Sequence, residues 1–335
     1  MARRDEILKA VYEADRLHKE YDAESRAKQG EGRIDVFGML VKREIPVIFR
    51  PLKNLLGAYI NDPSQGVMVT TQRQLPVQRF TAAHELGHAA LGHEASLDEE
   101  DILMRALFDP SARFDSREIQ ANAFATELLT PQWLIVEHMN RQGWSRDDLS
   151  NAIVVYQLSL RMGSSYTATC YALQECKGLD HTTCDKLLKA NKKSIKQALA
   201  KPYAPDKWYG DVWLVTERDN GLVLEGSRSD LVVVRMPEHA SSGYVWQFGG
   251  LADTGLAIRD DGRVSEGSKH IGGIVFRTVI AEAEDGARGH VRLRETRPWQ
   301  TDGHPLNSME LDVDLSGPVP AGLLPQQREA LLEVA

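Results

Sequence analysis

Cysteine is scarce: there are three in 335 residues, Cys170, Cys176 and Cys184. So few, and an odd number, exclude a disulfide-stapled framework and suit a reducing compartment. Their spacing with His181 matches no structural-zinc pattern, so they read as core or surface thiols. Long apolar runs are missing too. No stretch approaches the roughly 20 residues that a membrane helix needs. The start, Met1 to Glu6, leads into a charged amphipathic helix without an apolar centre, so neither a secretory leader nor a membrane partner is expected and the expected location is cytoplasmic. Positive charge is in deficit. A net charge of −8 and a pI near 5.7 argue against an overall nucleic-acid-binding surface and leave only local basic patches open.

The composition is that of an ordinary globular chain, and its length suits two or three domains. It is organised around His84-Glu85-Leu86-Gly87-His88, an H-E-x-x-H pattern inside a segment that reads as a helix. His84 and His88 are four residues apart and so share one helical face, where two imidazoles can hold one divalent ion. Glu85 is placed to take a proton from a water on that ion. The filler (Ala82, Ala83, Leu86, Ala89, Ala90, Leu91) makes the helix apolar nearly all round, as in a buried one. Burying two His and a Glu is costly unless something engages them, and metal ligation would.

Before this helix, residues 5–30 and 34–42 read as helices, and 46–49, 55–60 and 66–70 as strands. A small sheet of this kind can hold an extended peptide at its edge. After it, 117–131 reads as a helix stopped by Pro131. Glu118 and Asn122 share one face there. A catalytic zinc typically keeps three protein ligands and one open position, and His84, His88 and Glu118 would complete that set. The rivals for the third place are His93, Asp115 and Glu127; His93, at i+5 from His88, ranks below Glu118.

Two linked motifs, Arg79 to His88 and Glu118 to Ala125 with Leu128-Leu129-Thr130-Pro131, resemble the ImmA/IrrE metallopeptidase family. The family's usual closing Met-Pro is Thr130-Pro131 here. The resemblance implies a zincin-like core in which His84, His88 and Glu118 bind the metal, Glu85 is the catalytic residue and Asn122 lies behind the ligands. It also implies a task, cutting a partner helix-turn-helix repressor. The ion implied is Zn2+, with Mn2+ as the alternative.

Residues 132–142, 146–156 and 164–176 read as helices, and 158–166 resembles the helix-turn-helix-like module that follows the core in this family, with Tyr166 a candidate lining of a substrate cleft. Residues 186–201 hold six lysines and no acid and read as one basic amphipathic helix. Beyond residue 208 the texture changes to short strands at 212–215, 231–234, 244–246, 273–276, 290–293 and 309–313, which argues for an antiparallel sandwich. Three loops there resemble those of the chagasin-like cysteine-peptidase inhibitors: one with Ser241, Ser242, Gly243 and Tyr244, one with Gly272 and Gly273, and one with Arg297, Pro298 and Trp299. In the first, His239 and Ala240 replace Asn and Pro, and in the second His270 replaces Gly.

The expected fold is α+β and multidomain. Residues 1–131 form the metallopeptidase core and 132–205 a helical extension and linker. Residues 206–316 form an all-β immunoglobulin-like, chagasin-like sandwich, and 317–335 a flexible tail. The expected activity is metal-dependent endopeptidase, with a repressor as substrate and a cysteine peptidase as a second partner through the sandwich. Two alternatives stand beside it: a binding or sensor protein whose sandwich captures a cysteine peptidase, and a DNA-binding regulator, the less favoured because the chain is acidic.

Overall fold

The structure, a computed structural model, describes residues 2–53, 55–62, 64–94, 96–99, 116–265, 275–283, 286–300 and 303–334. Helix α1 (Ala2–Glu20) stops where Asp22 enters the left-handed region at φ 50°, which breaks the single helix expected over 5–30. Helix α2 (Val36–Lys42) is capped by Asp35, whose carboxylate accepts the Gly38 N–H at 3.0 Å.

Strands β1 (Val47–Arg50), β2 (Leu55–Ile60) and β3 (Gly66–Thr70) form where the patterns place them, and β4 (Ser96–Glu99) joins them. β3 lies between β1, to which it is parallel, and antiparallel β2; β4 pairs antiparallel with β2. A fifth strand, β13 (Gly322–Leu323), pairs antiparallel with β1. It lies in the 317–335 segment expected as a flexible tail ending in a short helix over 325–334. The Gln327 side chain, in the final helix (Pro325–Val334), accepts the Val47 N–H and donates to the Ile45 carbonyl, both at 2.9 Å. The tail thereby covers an edge that would otherwise offer unpaired backbone groups.

Helix α3 (Leu75–Leu91) lies against β2 and β3, and α4 (Ser116–Leu129) packs on α3 and α1. Helices α5 (Gln132–Gln142), α6 (Ala152–Arg161) and α7 (Tyr166–Glu175) follow, with Asn151 and Ser165 capping α6 and α7. In α7 Tyr166, Thr169, Cys170, Ala172 and Leu173 are buried, so this helix serves packing. The lysine run is two helices, α8 (His181–Leu188) and α9 (Lys192–Ala200), because the Asn191 side chain caps the second.

The remaining strands form two four-stranded sheets, in the orders β5-β7-β10-β9 and β6-β12-β11-β8. The first holds β5 (Val212–Val215), β7 (Leu231–Glu238), β9 (Leu256–Ser265) and β10 (Val275–Ala283). The second holds β6 (Leu222–Glu225), β8 (Val245–Gln247), β11 (Arg288–Thr296) and β12 (Asn307–Asp314). Each is mixed, because β5 runs parallel to β7 and β6 parallel to β12. Trp213, Val232, Val234 and Met236 from one sheet and Leu222, Val291, Leu311 and Val313 from the other share one core. Alternate residues of β7, Leu231 and Val233, join the core of the helical half instead. That two-sided burial explains its unbroken Leu-Val-Val-Val run. Where these elements meet, Arg161 of α6 donates to both carboxylate oxygens of Asp219, at 3.0 and 2.9 Å, to the Leu214 carbonyl and to Gln157.

Candidate metal centre

Helix α3 is buried on every side from Thr81 to His88. Two glycines let its neighbours come close enough to matter. A Cβ on Gly87 would stand 2.9 Å from the Phe124 ring and 3.3 Å from the Ala121 Cα, so glycine there admits α4 against α3. A Cβ on Gly57 in β2 would meet the Glu85 Oε1 at 2.5 Å, so a bare strand backbone makes room for that carboxylate. Glu85 itself is completely buried.

The close helix approach brings three side chains together. His84 Nε2 lies 3.2 Å from Glu118 Oε2, His88 Nε2 lies 3.5 Å from Glu118 Oε1, and the two Nε2 atoms are 3.0 Å apart. Both histidines are buried, and Glu118 Oε2 is buried without a hydrogen-bond donor. A tetrahedral ion with bonds of ~2.0–2.2 Å to N and O would hold its ligand atoms roughly 3.3–3.6 Å apart, close to this spacing. Two imidazoles and one carboxylate are also a donor set for such an ion. The residues fit a bound metal.

The outer ring nitrogens are engaged from behind. His84 Nδ1 lies 3.0 Å from Asn122 Oδ1, and since that oxygen only accepts, the ring carries its proton on Nδ1 and turns the Nε2 lone pair inward. His93, a rival ligand in the sequence, is not in the converging group. Its Nδ1 lies 3.0 Å from His88 Nδ1 and its Nε2 lies 2.9 Å from Gln120 Oε1. Burial lowers the His93 pKa and so favours its neutral ring. Glu127 is also elsewhere. Burial raises the pKa of its carboxyl, and the charges acting on it are Asp15 and Glu175. Asp115 lies outside the described residues.

Other predicted site residues separate. Tyr166 is buried and donates its hydroxyl to the Leu187 carbonyl at 3.0 Å. Two of the three loops meet: Arg297 donates to the Ser242 carbonyl at 3.2 Å and its guanidinium lies 4.5 Å from the Tyr244 ring centre. Gly243, at φ 80°, sits beneath the Trp299 ring, and Trp299 is 68% exposed. His239, one of the replaced residues, has its backbone N–H 2.7 Å and its Nδ1 3.1 Å from the fully buried Glu295 carboxylate, which ties down the base of that loop. Gly272 and Gly273 lie outside the described residues.

Residues 42–174 match the family model described as the IrrE N-terminal-like domain, Peptidase_M78. That segment is an IrrE N-terminal-like domain. Peptidase_M78 is a metallopeptidase family, and the match spans all of His84, Glu85, His88 and Glu118. A curated relative, the uncharacterized immunity region protein 2 of Bacillus phage phi105, is 32% identical over 97 residues, 29% of this chain and 57% of that protein. The chain thus spans a little over half of that relative's length. Among solved structures, a cysteine protease inhibitor from Entamoeba histolytica is 22% identical with a TM-score of 0.30, covering 32% of this chain and 99% of the inhibitor. A Mycobacterium tuberculosis transcriptional regulator is 11% identical with a TM-score of 0.29, covering 82% of this chain and 80% of that one. Among the described residues, no helix is long and apolar enough to cross a membrane.

Sequence reading missed Gly57, Gln120 and the place of His93. A glycine inside a strand pattern was the available signal for Gly57. Gln120 carried none, because only the packed helices aim it at His93.

Proposed function

We propose that this protein is a metal-dependent endopeptidase of the cytoplasm with a zincin-like core, and that its substrate is a helix-turn-helix repressor. The observation that carries this is the convergence of His84, His88 and Glu118 beside a buried Glu85. His84, His88 and Glu118 would hold zinc, or manganese; when bound, the ion supplies a Lewis acid for the scissile carbonyl and the attacking water. Glu85 takes the proton of that water and returns it to the leaving amine. The immunity-region relative supports a repressor as substrate. Glu85→Gln removes the base but no ligand, so it is expected to keep the metal and lose cleavage by ~10²–10⁴-fold. Full activity in that variant, measured on repressors encoded beside this chain, would sink the mechanism.

The reading divides the chain into a core (1–131), a helical extension (132–205) and an immunoglobulin-like sandwich (206–316) that binds a protein through its loops. Exposed Trp299 over Gly243, with Arg297 stacked on Tyr244, favours this second role because a rigid aromatic beside an arginine is hot-spot chemistry. Inhibition of a papain-like peptidase by the full chain, lost in Trp299→Ala, tests whether a cysteine peptidase is that partner. Equal inhibition by both proteins would remove Trp299 from the interface.

A further inference from the structure

We infer that His93 and Gln120 are positioning residues that set which nitrogen of His88 faces the metal, an inference that rests on the metal-centre reading above. The chain of contacts runs Gln120 Oε1 to His93 Nε2 at 2.9 Å, then His93 Nδ1 to His88 Nδ1 at 3.0 Å. An amide oxygen only accepts, so His93 carries its proton on Nε2 and its Nδ1 is an acceptor. His88 then donates from Nδ1, which leaves its Nε2 lone pair toward His84 and Glu118. Asn122 does the same for His84 in one step. Both rings therefore present the same nitrogen by unequal routes.

Local chain geometry builds the longer route. Helix α3 ends at Gly92, whose φ of 71° turns the chain so that the His93 N–H donates back to the His88 carbonyl at 2.9 Å. That return lays the His93 ring 5.0 Å from the His88 ring, centre to centre. With both nitrogens engaged, His93 has no lone pair left for the ion and is not a fourth ligand. Glu118, Gln120 and Asn122 all stand on α4, so one helix supplies the third ligand and both outer anchors. The approach that Gly87 permits is thus required three times over.

The test is zinc affinity, measured by competition with a chromophoric chelator on the full chain. The variants are His93→Phe, Gln120→Leu, Gln120→Glu and His84→Ala. The wild type is expected to bind one equivalent, and His84→Ala none. His93→Phe and Gln120→Leu are expected to keep the stoichiometry while the dissociation constant rises ~10–100-fold. Gln120→Glu still accepts from His93 and is expected to hold the wild-type affinity, a rescue that mere packing at this position would not produce. Metal-free melting temperatures report whether each variant folds. Unchanged affinity in His93→Phe and Gln120→Leu, or equal loss in Gln120→Leu and Gln120→Glu, overturns the relay while leaving the metal centre standing. Loss of all zinc in a folded His93→Phe makes His93 a ligand and also overturns it. A wild type that binds no zinc, or a His84→Ala variant that still binds it, overturns the metal centre and the relay together.

Discussion

Two buried polar clusters invite comparison. Around Arg161 and Asp219, residues 4% and 0% exposed, every guanidinium nitrogen donates to an oxygen and the carboxylate also accepts from Gln142. Donors and acceptors match, and the charges cancel. Around His84, His88 and Glu118 three acceptors face one another at 3.0–3.5 Å. Glu118 Oε2 there is buried without a hydrogen-bond donor. Burial is common to both, so burial alone does not mark a site. An orphaned buried acceptor such as Glu118 Oε2 does, because such a group persists only where something else completes it.

The comparison breaks most visibly in metal content. Elemental analysis is expected to give one equivalent of metal in the wild type and none in Glu118→Ala, whereas Asp219→Ala keeps it. The same loss in both would erase the distinction. Stability should divide the other way. Asp219→Ala strands a buried arginine and is expected to cost roughly 3–5 kcal/mol in urea unfolding, while Arg161→Met with Asp219→Leu costs far less. A double variant as unstable as the single would mean that the pair contributes more than balanced charge.

His138 is an intermediate case. Its Nε2 donates to the Gly32 carbonyl at 2.6 Å, while its buried Nδ1 has no hydrogen-bond partner. Burial lowers its pKa from 6.5 to about 4. Protonation is thus easier in the unfolded chain, so the stability it allows is present above pH 6.5 and lost as pH falls toward 4. That loss is about 3 kcal/mol over the window. In His138→Gln the difference from wild type should shrink by this amount as pH is lowered from 7 to 4, measured by denaturant midpoints. A constant difference would mean that His138 does not titrate in this range. Asp230, which burial raises to about 6, acts in the opposite sense and is common to both proteins, so it cancels.

The smallest effect sharpens the role of close approach. Gly87→Ala adds one methyl against Phe124 and Ala121, with an expected cost of ~1–3 kcal/mol in stability and a weaker hold on metal as α4 moves out. An unchanged zinc affinity would mean that α4 has slack.

Periodicity and spacing made much of this legible. His84 and His88 follow from helix geometry, Glu118 and Asn122 from a shared helix face together with the family resemblance, and β1 to β3 from short apolar runs. The lysine run failed because a single Asn191 cap outweighed its amphipathic pattern. Strand β9 was missed because four of its ten residues, Arg259, Asp260, Asp261 and Arg263, are charged, and sheet pairing with β10 rather than local pattern places it. Tyr166, which the sequence leaves open between a cleft lining and a buried structural residue, is buried because its surroundings, not its type, decide.

Local sequence determined which side chains could bind a metal and on which helical face each lies, since those depend only on rotation per residue. Tertiary structure alone decided what no local rule encodes: that Gln120 reaches His93, that Gly57 yields space to Glu85, and that the tail closes β1 from about 275 residues away. Contacts of that kind arise from packing two elements at once, and neither element carries the record of the other.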